Sequence, residues 1–484
     1  MPRSPRSNSQ IRTRGPAPTG RWRFVRWLCA ASALAAGLPQ VSHAGPQQDV
    51  ERTLTAFQRQ AGPQRITHLR ELWMRWETAD PNRVEQALAG VGADRAVEPA
   101  VRAYAQLLSA YARRRRGDLV GAQREVRRLG FATDWFVLGP FDNDNRTGFE
   151  PPVVSEQELT QPLVLDRSYQ GKDRPVRWRH SPDVHGYGWL DFGALMPPSA
   201  DVCALGTTYV RDLSGADRPR SITLWVGATG AMKVYWNAEL IIRDGAYRQL
   251  DVDRVAADVV MQPGYNRLTV KVCGDGTAPA IAVRLAEPDG SPPSQIEAIA
   301  TEDASTAAAS AMRQAGSAPD DAADDPAAVN SGIVATARDD SADSAVADRA
   351  LWVAPGAVPA RVAGPLQQLE AELSARRDDA AAMERYARYL MISGGDPSAG
   401  HLARDLATRA AEREPTVERN LLAAKLAEDR NQQSRWVAAA RSAVRTDSEL
   451  VQVLLAEARL ARTGAHWQDA IPLYEQVLTL DPQS

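Results

Sequence analysis

The chain has 484 residues, 44% of them hydrophobic, and a formal net charge of -3. This length can bury more than one hydrophobic core, and domains of about 100–200 residues predict a multidomain protein. Residues 1–44 contain seven arginines and no Asp, Glu or Lys, so removing their charge from -3 leaves -10 for the remainder. Such an acidic remainder argues against binding to nucleic acid or to an anionic membrane surface.

The N-terminal segment has the pattern of an export signal. An apolar run over residues 27–38 follows the arginines, and Ser42-His43-Ala44 then supplies a small-x-small motif. A membrane anchor is the alternative, but twelve apolar residues fall short of the roughly 20 that a spanning helix needs. We therefore expect a signal peptide over residues 1–44, no integral membrane segment after its cleavage, and a periplasmic or extracellular destination.

Two cysteines, Cys203 and Cys273, lie beyond the predicted cleavage point. An exported protein enters an oxidising compartment, where paired cysteines commonly form disulfides. The sequence therefore predicts a Cys203–Cys273 disulfide, with two buried thiols as the alternative.

The pattern of apolar residues changes between the first two regions of the predicted mature chain. Over residues 45–131 apolar side chains recur at spacings of three and four, as in Leu69, Leu72 and Trp76, which predicts a helical repeat-like domain. Residues 132–298 instead show short alternating runs separated by turn signals, which predicts an all-β sandwich.

Composition separates the last two regions. Residues 299–362 are rich in Ala, Asp and Ser, and we expect a disordered linker because such a composition buries too little apolar surface. Helical periodicity returns over residues 363–484. Asp447-Ser448 and Asp481-Pro482 close successive units 34 residues apart, which indicates an α-helical repeat on the far side of the sandwich.

The segment from Trp467 to Pro482 carries the most specific part of this repeat and resembles the tetratricopeptide repeat. That resemblance implies a solenoid of antiparallel helix pairs that acts as a scaffold and binds protein partners. It also places Trp467 among the residues where the two helices interlock. The residues expected to pack the repeat are Leu454, Ala458, Ala461, Ala470, Tyr474 and Pro482.

Residues 220–290 resemble the galactose-binding-like jelly rolls of bacterial extracellular proteins. The resemblance rests on the segments 222–227, 233–240 and 263–272. With the aromatic segment 135–141 opening the β region, the layout is similar to large exported repeat proteins of myxobacteria. Some of those proteins continue into a transglutaminase-like domain.

Common catalytic motifs are missing from the sequence. It contains no Gly-x-Ser-x-Gly, no Walker loop, no His-Glu-x-x-His and no Cys-x-x-Cys. We therefore predict no enzymatic activity, no cofactor and no metal centre. Asp142 and Asp144 could supply oxygen ligands to calcium, but Arg146 is a cation where such a loop needs a ligand, and a turn explains the acids equally well.

A glycan site would need aromatic rings on the surface, and four rings of the β region are candidates for ligand binding: Trp178, Tyr187, Trp189 and Tyr235. Side chains alternate across a strand, so Lys233 and Tyr235 share one face and Val234 and Trp236 share the other. Lys233 marks the expected solvent face, which predicts an exposed Tyr235 and a buried Trp236.

These patterns together predict an exported, non-catalytic scaffold. The helical repeats would bind protein partners, and the sandwich would add a ligand or partner site, with a glycan as one candidate ligand. Two alternatives remain open from the sequence. The chain could be the non-catalytic N-terminal part of a larger enzyme with a transglutaminase-like domain beyond residue 484, or it could be a carbohydrate-binding module.

Overall fold

The computed structural model describes residues 46–181, 186–316, 351–354, 363–393 and 397–482. The predicted signal peptide and most of the predicted linker lie outside these residues. Among the helices that are described, none is both long and apolar enough to cross a membrane.

The N-terminal region is helical, as its periodicity predicts. Its helices pack through one apolar face each, and Leu69, Leu72, Val84 and Leu88 are fully buried between them. Asp80 caps one of the helices, because its carboxylate accepts a hydrogen bond from the Asn82 amide. The helices are α1 (Pro46–Arg59), α2 (Ile66–Met74), α3 (Pro81–Ala93), α4 (Pro99–Arg115) and α5 (Leu119–Arg128).

A curled antiparallel sheet follows, and eleven strands of the described residues belong to it. A short helix, α6 (Glu156–Leu159), and a separate ribbon of β2 (Tyr169–Gln170) and β3 (Pro175–Val176) lie between its first two strands. The other strands are β1 (Trp135–Asp142), β4 (Arg179–Ser181), β5 (Leu190–Asp191), β6 (Val202–Asp212), β7 (Arg220–Trp236), β8 (Glu239–Arg248), β9 (Val255–Met261), β10 (Tyr265–Cys273), β11 (Ala280–Ala286), β12 (Ile296–Ile299) and β13 (Leu351–Val353).

The 17-residue strand β7 connects the two halves of the sheet. Its first part pairs with β9 and β11, and its second part pairs with β8 and β10. The order then continues from β10 through β6 and β1 to β4. Residues of both parts, such as Val226 and Val234, belong to one buried core. Trp236 is 4% exposed and lies in that core, which confirms the assignment from strand alternation.

The predicted linker begins later than its composition suggests. Residues Glu302–Gly316 form a helix, α7, and its small residues Ala304 and Ala308 are fully buried against one face of the sheet. The prediction of a linker from residue 299 is therefore wrong for this stretch. Alanines have few apolar atoms, but their size lets a helix approach the sheet closely.

The C-terminal region is helical, as predicted, and its first helices share a core with the sheet. Leu366, Leu369 and Met383 belong to the same buried cluster as strand residues such as Met232. The side chain of Gln367 also exchanges two hydrogen bonds with the backbone of Ala256 on the edge strand β9. The helices are α8 (Pro365–Ala375), α9 (Ala380–Ser393), α10 (Pro397–Arg413), α11 (Val417–Leu426), α12 (Arg430–Ser442), α13 (Asp447–Thr463) and α14 (Trp467–Leu480).

From α9 to α14 each helix packs against the next along the chain. Among the residues expected to pack the last repeat, Leu454, Ala458 and Ala470 are buried, Ala461 and Tyr474 are half-buried, and Pro482 is exposed. Trp467 was expected to interlock between the helices, but its side chain is 59% exposed. The solvent-facing side of α14 therefore carries a large apolar side chain.

Candidate functional site

The predicted disulfide between Cys203 and Cys273 is present. The two residues face each other on the neighbouring strands β6 and β10, with Cα atoms 4.0 Å apart and sulfur atoms 1.99 Å apart. Both residues are fully buried. The bond therefore joins an early and a late strand inside the sheet.

The acidic loop at the end of β1 binds a lysine of the chain itself. The Nζ atom of Lys172 lies 3.3 Å from a carboxylate oxygen of Asp142 and 2.6 Å from one of Asp144. Asn143 lies between them in the sequence, and its side-chain amide donates to the backbone carbonyl of Gly274. The structure therefore gives the calcium hypothesis for Asp142 and Asp144 no support, since the ammonium group of Lys172 pairs with both carboxylates. Within the described residues no three His, Cys, Asp or Glu side chains cluster as metal ligands would.

The sheet face that carries Lys233 is covered, so the prediction of a solvent face is wrong. Lys233 is 8% exposed and donates to the carbonyl and the carboxylate of Glu150. Tyr235 is half-buried on this face. Trp178, proposed as a surface ring, is 5% exposed and belongs to the buried cluster on this side of the sheet. Trp178 is therefore too buried to stack on a sugar, and Tyr235 is only partly exposed.

The segment that covers this face of the sheet spans residues 148–161. Two further cations hold it through its backbone carbonyls. The Nζ atom of Lys271 donates to the carbonyl oxygens of Gly148, Phe149 and Pro151 at 2.6 to 2.8 Å. Arg267 donates to three more carbonyls between residues 158 and 161. Burial, together with the nearby charge of Lys233, lowers the pKa of Lys271 to about 7.

Tyr187 and Trp189, the other two ligand candidates, lie together. Their rings stack with centroids 4.5 Å apart and an interplanar angle of 14°. The guanidinium of Arg114 lies 3.8 Å from the centroid of Tyr187, and the hydroxyl of Tyr111 donates to the Tyr187 carbonyl. Arg114 and Trp189 thus both pack against the Tyr187 ring. The cluster attaches this loop to α4 rather than offering a platform for a sugar ring.

The structure also contains a buried ionic cluster at the loop between β8 and β9, which the sequence did not predict. Asp251 is fully buried; its carboxylate lies 2.5 Å from Arg70 on α2 and accepts a 2.6 Å hydrogen bond from Tyr389 on α9. A single carboxylate thereby connects the N-terminal helices, the sheet and the C-terminal helices.

Two further ion pairs lie beside Asp251. Asp253 pairs with Arg284 at 2.7 Å, and Asp244 pairs with Arg254 at 3.0 Å. All four side chains are 0–1% exposed, and burial raises the pKa of Asp253. No ligand reaches groups with so little exposure, so these pairs position the loop instead of forming a binding site.

Another feature that suggests binding is an apolar stripe on α14. Trp467, Ile471 and Leu478 are 59%, 56% and 49% exposed, and the half-buried Tyr474 lies between them. Their spacings of four, three and four residues place them on one side of the helix. We refer to Trp467, Ile471, Tyr474 and Leu478 as the α14 stripe.

The preceding hairpin shows that this stripe is unusual. Counted from the first residue of each helix, the positions of Trp467, Ile471 and Leu478 correspond in α12 to residues 430, 434 and 441. Those residues are Arg430, Ser434 and Arg441, and all three are exposed. The same positions are therefore polar on α12 and apolar on α14. The i, i+4, i+7 spacing was visible in the sequence, but the resemblance to a repeat had assigned Trp467 to internal packing.

Comparisons of the chain with protein-family models, with curated proteins and with solved structures found no match. The interpretation of the α14 stripe therefore rests on its own geometry.

Proposed function

We propose that the protein is an exported, non-catalytic scaffold that binds a protein through the hairpin of α13 and α14. The observation that carries this proposal is the α14 stripe, in which Trp467, Ile471 and Leu478 are each about half exposed or more. Exposed aromatic and aliphatic side chains on one helix side are typical of helix-mediated recognition. The helices of residues 363–482 would then act as a tetratricopeptide-like scaffold.

Other features are consistent with this proposal. The buried disulfide suits a protein that leaves the reducing cytoplasm. Among the four predicted ligand rings, Trp178 is buried and Tyr187 packs against both Arg114 and Trp189. This packing favours protein binding by the helices over carbohydrate binding by the sheet.

A photo-crosslinking residue introduced at Ile471 tests the proposal in cells that export the protein. Light should link the protein to a discrete protein species, because Ile471 would contact the bound partner. The matched control carries the same residue at Ser434, the corresponding position of α12, and should give no adduct. Equal labelling at both sites, or none at Ile471, would refute a binding role for the stripe.

A further inference from the structure

A layer of five helices runs from the N-terminal region into the C-terminal region. In this layer α1 packs against α2, α2 against α9, α9 against α11, and α11 against α13. A guanidinium nitrogen of Arg388 on α9 lies 3.6 Å from a carboxylate oxygen of Glu71 on α2. Arg419 on α11 lies 3.0 Å from Glu384 on α9 in the same way. The layer is therefore continuous across the two regions.

Each helix of this layer contributes a basic side chain to one cluster. Burial lowers the pKa of Lys425, and so do three nearby charges, those of Arg75, Arg388 and Arg459. Burial and the charge of Arg75 lower the pKa of Arg52 as well. Because these cations act on one another, they lie close together. We refer to Arg52, Arg75, Arg388, Lys425 and Arg459 as the cationic row.

Two members of the cationic row are open to solvent. Lys425 and Arg459 are exposed, and neither forms an ion pair with a carboxylate of the described residues. The side chain of Arg388 next to them is 31% exposed, although it pairs with Glu71. The row thus presents positive charge on a chain that is strongly acidic beyond residue 44. Such a surface attracts an anionic partner.

The width of the cationic row selects an elongated partner. Packed helices lie about 8–10 Å apart, so five neighbouring helices extend well beyond a single small anion such as phosphate. An extended peptide advances about 3.3–3.6 Å per residue, and roughly ten residues would reach across the layer. A linear chain with several negative groups therefore fits the row better than one isolated anion.

Carboxylates within the layer disfavour an unbroken polyanion. Glu71 and Glu418 lie among the cations, where Glu71 pairs with Arg388 and the charge of Glu418 acts on Arg52. A nucleic acid carries a phosphate at every nucleotide and would bring some of these charges against the two carboxylates. A peptide can place neutral residues at such points and keep its acidic residues for the cations.

We propose that the cationic row binds an acidic peptide segment of a partner protein, extended across α1, α2, α9, α11 and α13. Its guanidinium and ammonium groups would donate charge-assisted hydrogen bonds to Asp and Glu carboxylates of the segment. This surface uses no residue of the α14 stripe, so the inference goes beyond the proposed function.

Fluorescence anisotropy of the purified protein with a labelled peptide of about ten residues, alternating Glu and Gly, tests the proposal. The peptide should bind saturably, and raising NaCl from about 0.05 M to about 0.5 M should weaken binding because the charges are exposed. Lys425→Glu and Arg459→Glu should each raise the Kd by about tenfold. Both side chains are exposed, so the fold should be retained.

Arg435→Glu on α12 is the matched control. It removes the same charge from an exposed position outside the five-helix layer, and it should bind the peptide like the wild type. Absence of saturable binding, or equal weakening by Lys425→Glu and Arg435→Glu, would overturn the inference. Equally tight binding of a labelled oligothymidylate of similar length would also overturn it, because the surface would then accept any polyanion.

The α14 stripe can be tested separately from the cationic row. Ile471→Asp should leave the Kd for the acidic peptide unchanged, because Ile471 does not belong to the row. If Ile471 crosslinks to a partner in cells but the peptide does not bind, the proposed scaffold function stands and the inference about the cationic row fails.

Discussion

Charged side chains are buried in the sheet region, whereas large apolar side chains are exposed on α14. Lys271, Arg267 and Asp251 are 0–4% exposed, while Trp467 and Ile471 are more than half exposed. The buried charges lie beneath other segments of the same chain and use those segments as hydrogen-bond partners. The exposed apolar groups lie where no described segment covers them. The sheet thus shows surfaces already occupied by the chain, whereas the described residues leave the apolar stripe of α14 exposed.

The largest expected effect comes from the buried ionic cluster. Asp251→Asn leaves Arg70 without its charge partner inside the protein, which should lower the free energy of unfolding by about 3–5 kcal/mol. Urea unfolding measures this change. The control is Trp467→Ala on α14, which should change the free energy of unfolding by no more than about 0.5 kcal/mol. Similar losses in both variants would mean that α14 is as essential to the fold as the cluster.

The next effect concerns the disulfide. Closing a loop of 70 residues between Cys203 and Cys273 is worth roughly 4 kcal/mol in the chain-entropy model, and measured values of about 2–4 kcal/mol are common. Cys203→Ser should therefore lower the melting temperature by several degrees, as followed by circular dichroism. Adding a reductant should destabilise the wild type and leave the variant unchanged. If the reductant also destabilised the variant, its effect could not be assigned to the Cys203–Cys273 bond.

The third effect depends on pH and concerns Lys271. Because its pKa is about 7 in the folded protein against 10.5 in the unfolded chain, the unfolded state binds an extra proton between these values. The free energy of unfolding should therefore rise with pH across this window, by at most about 1.4 kcal/mol per unit.

Lys271→Met provides the control for this pH dependence. It should remove this part of the slope and lower stability by about 1–3 kcal/mol, because three buried carbonyls lose their donor. Urea unfolding between pH 6.5 and 9 measures both. An unchanged slope in the variant would assign the pH dependence to another group.

Local patterns predicted the features that depend on neighbouring residues. Strand alternation correctly placed Trp236 in the core, and cysteine content with the predicted export signal correctly paired Cys203 with Cys273. Lys233 was misplaced because its cover comes from residue 150, more than 80 positions away in the chain. No local pattern can reveal which distant segment will lie on a strand.

The buried cluster was missed for the same reason. Arg70, Asp251 and Tyr389 come from three regions of the chain, so no local pattern indicates that they meet. The ordered start of the predicted linker was missed because composition scales weigh large apolar groups. Ala304 and Ala308 contribute little area, yet their small size allows a close contact.

Two glycines allow the long strand β7 to lie close to neighbouring backbone segments. A Cβ atom at Gly227 would lie 1.7 Å from the carbonyl oxygen of Asp251, and one at Gly230 would lie 2.0 Å from that of Cys273. Both positions must therefore stay glycine if the strand is to pass the ionic loop and the disulfide strand at this distance. The two glycines, three residues apart inside the 17-residue strand β7, thus set how closely the sheet can approach the ionic loop and the disulfide strand, and any side chain at either position should force these segments apart.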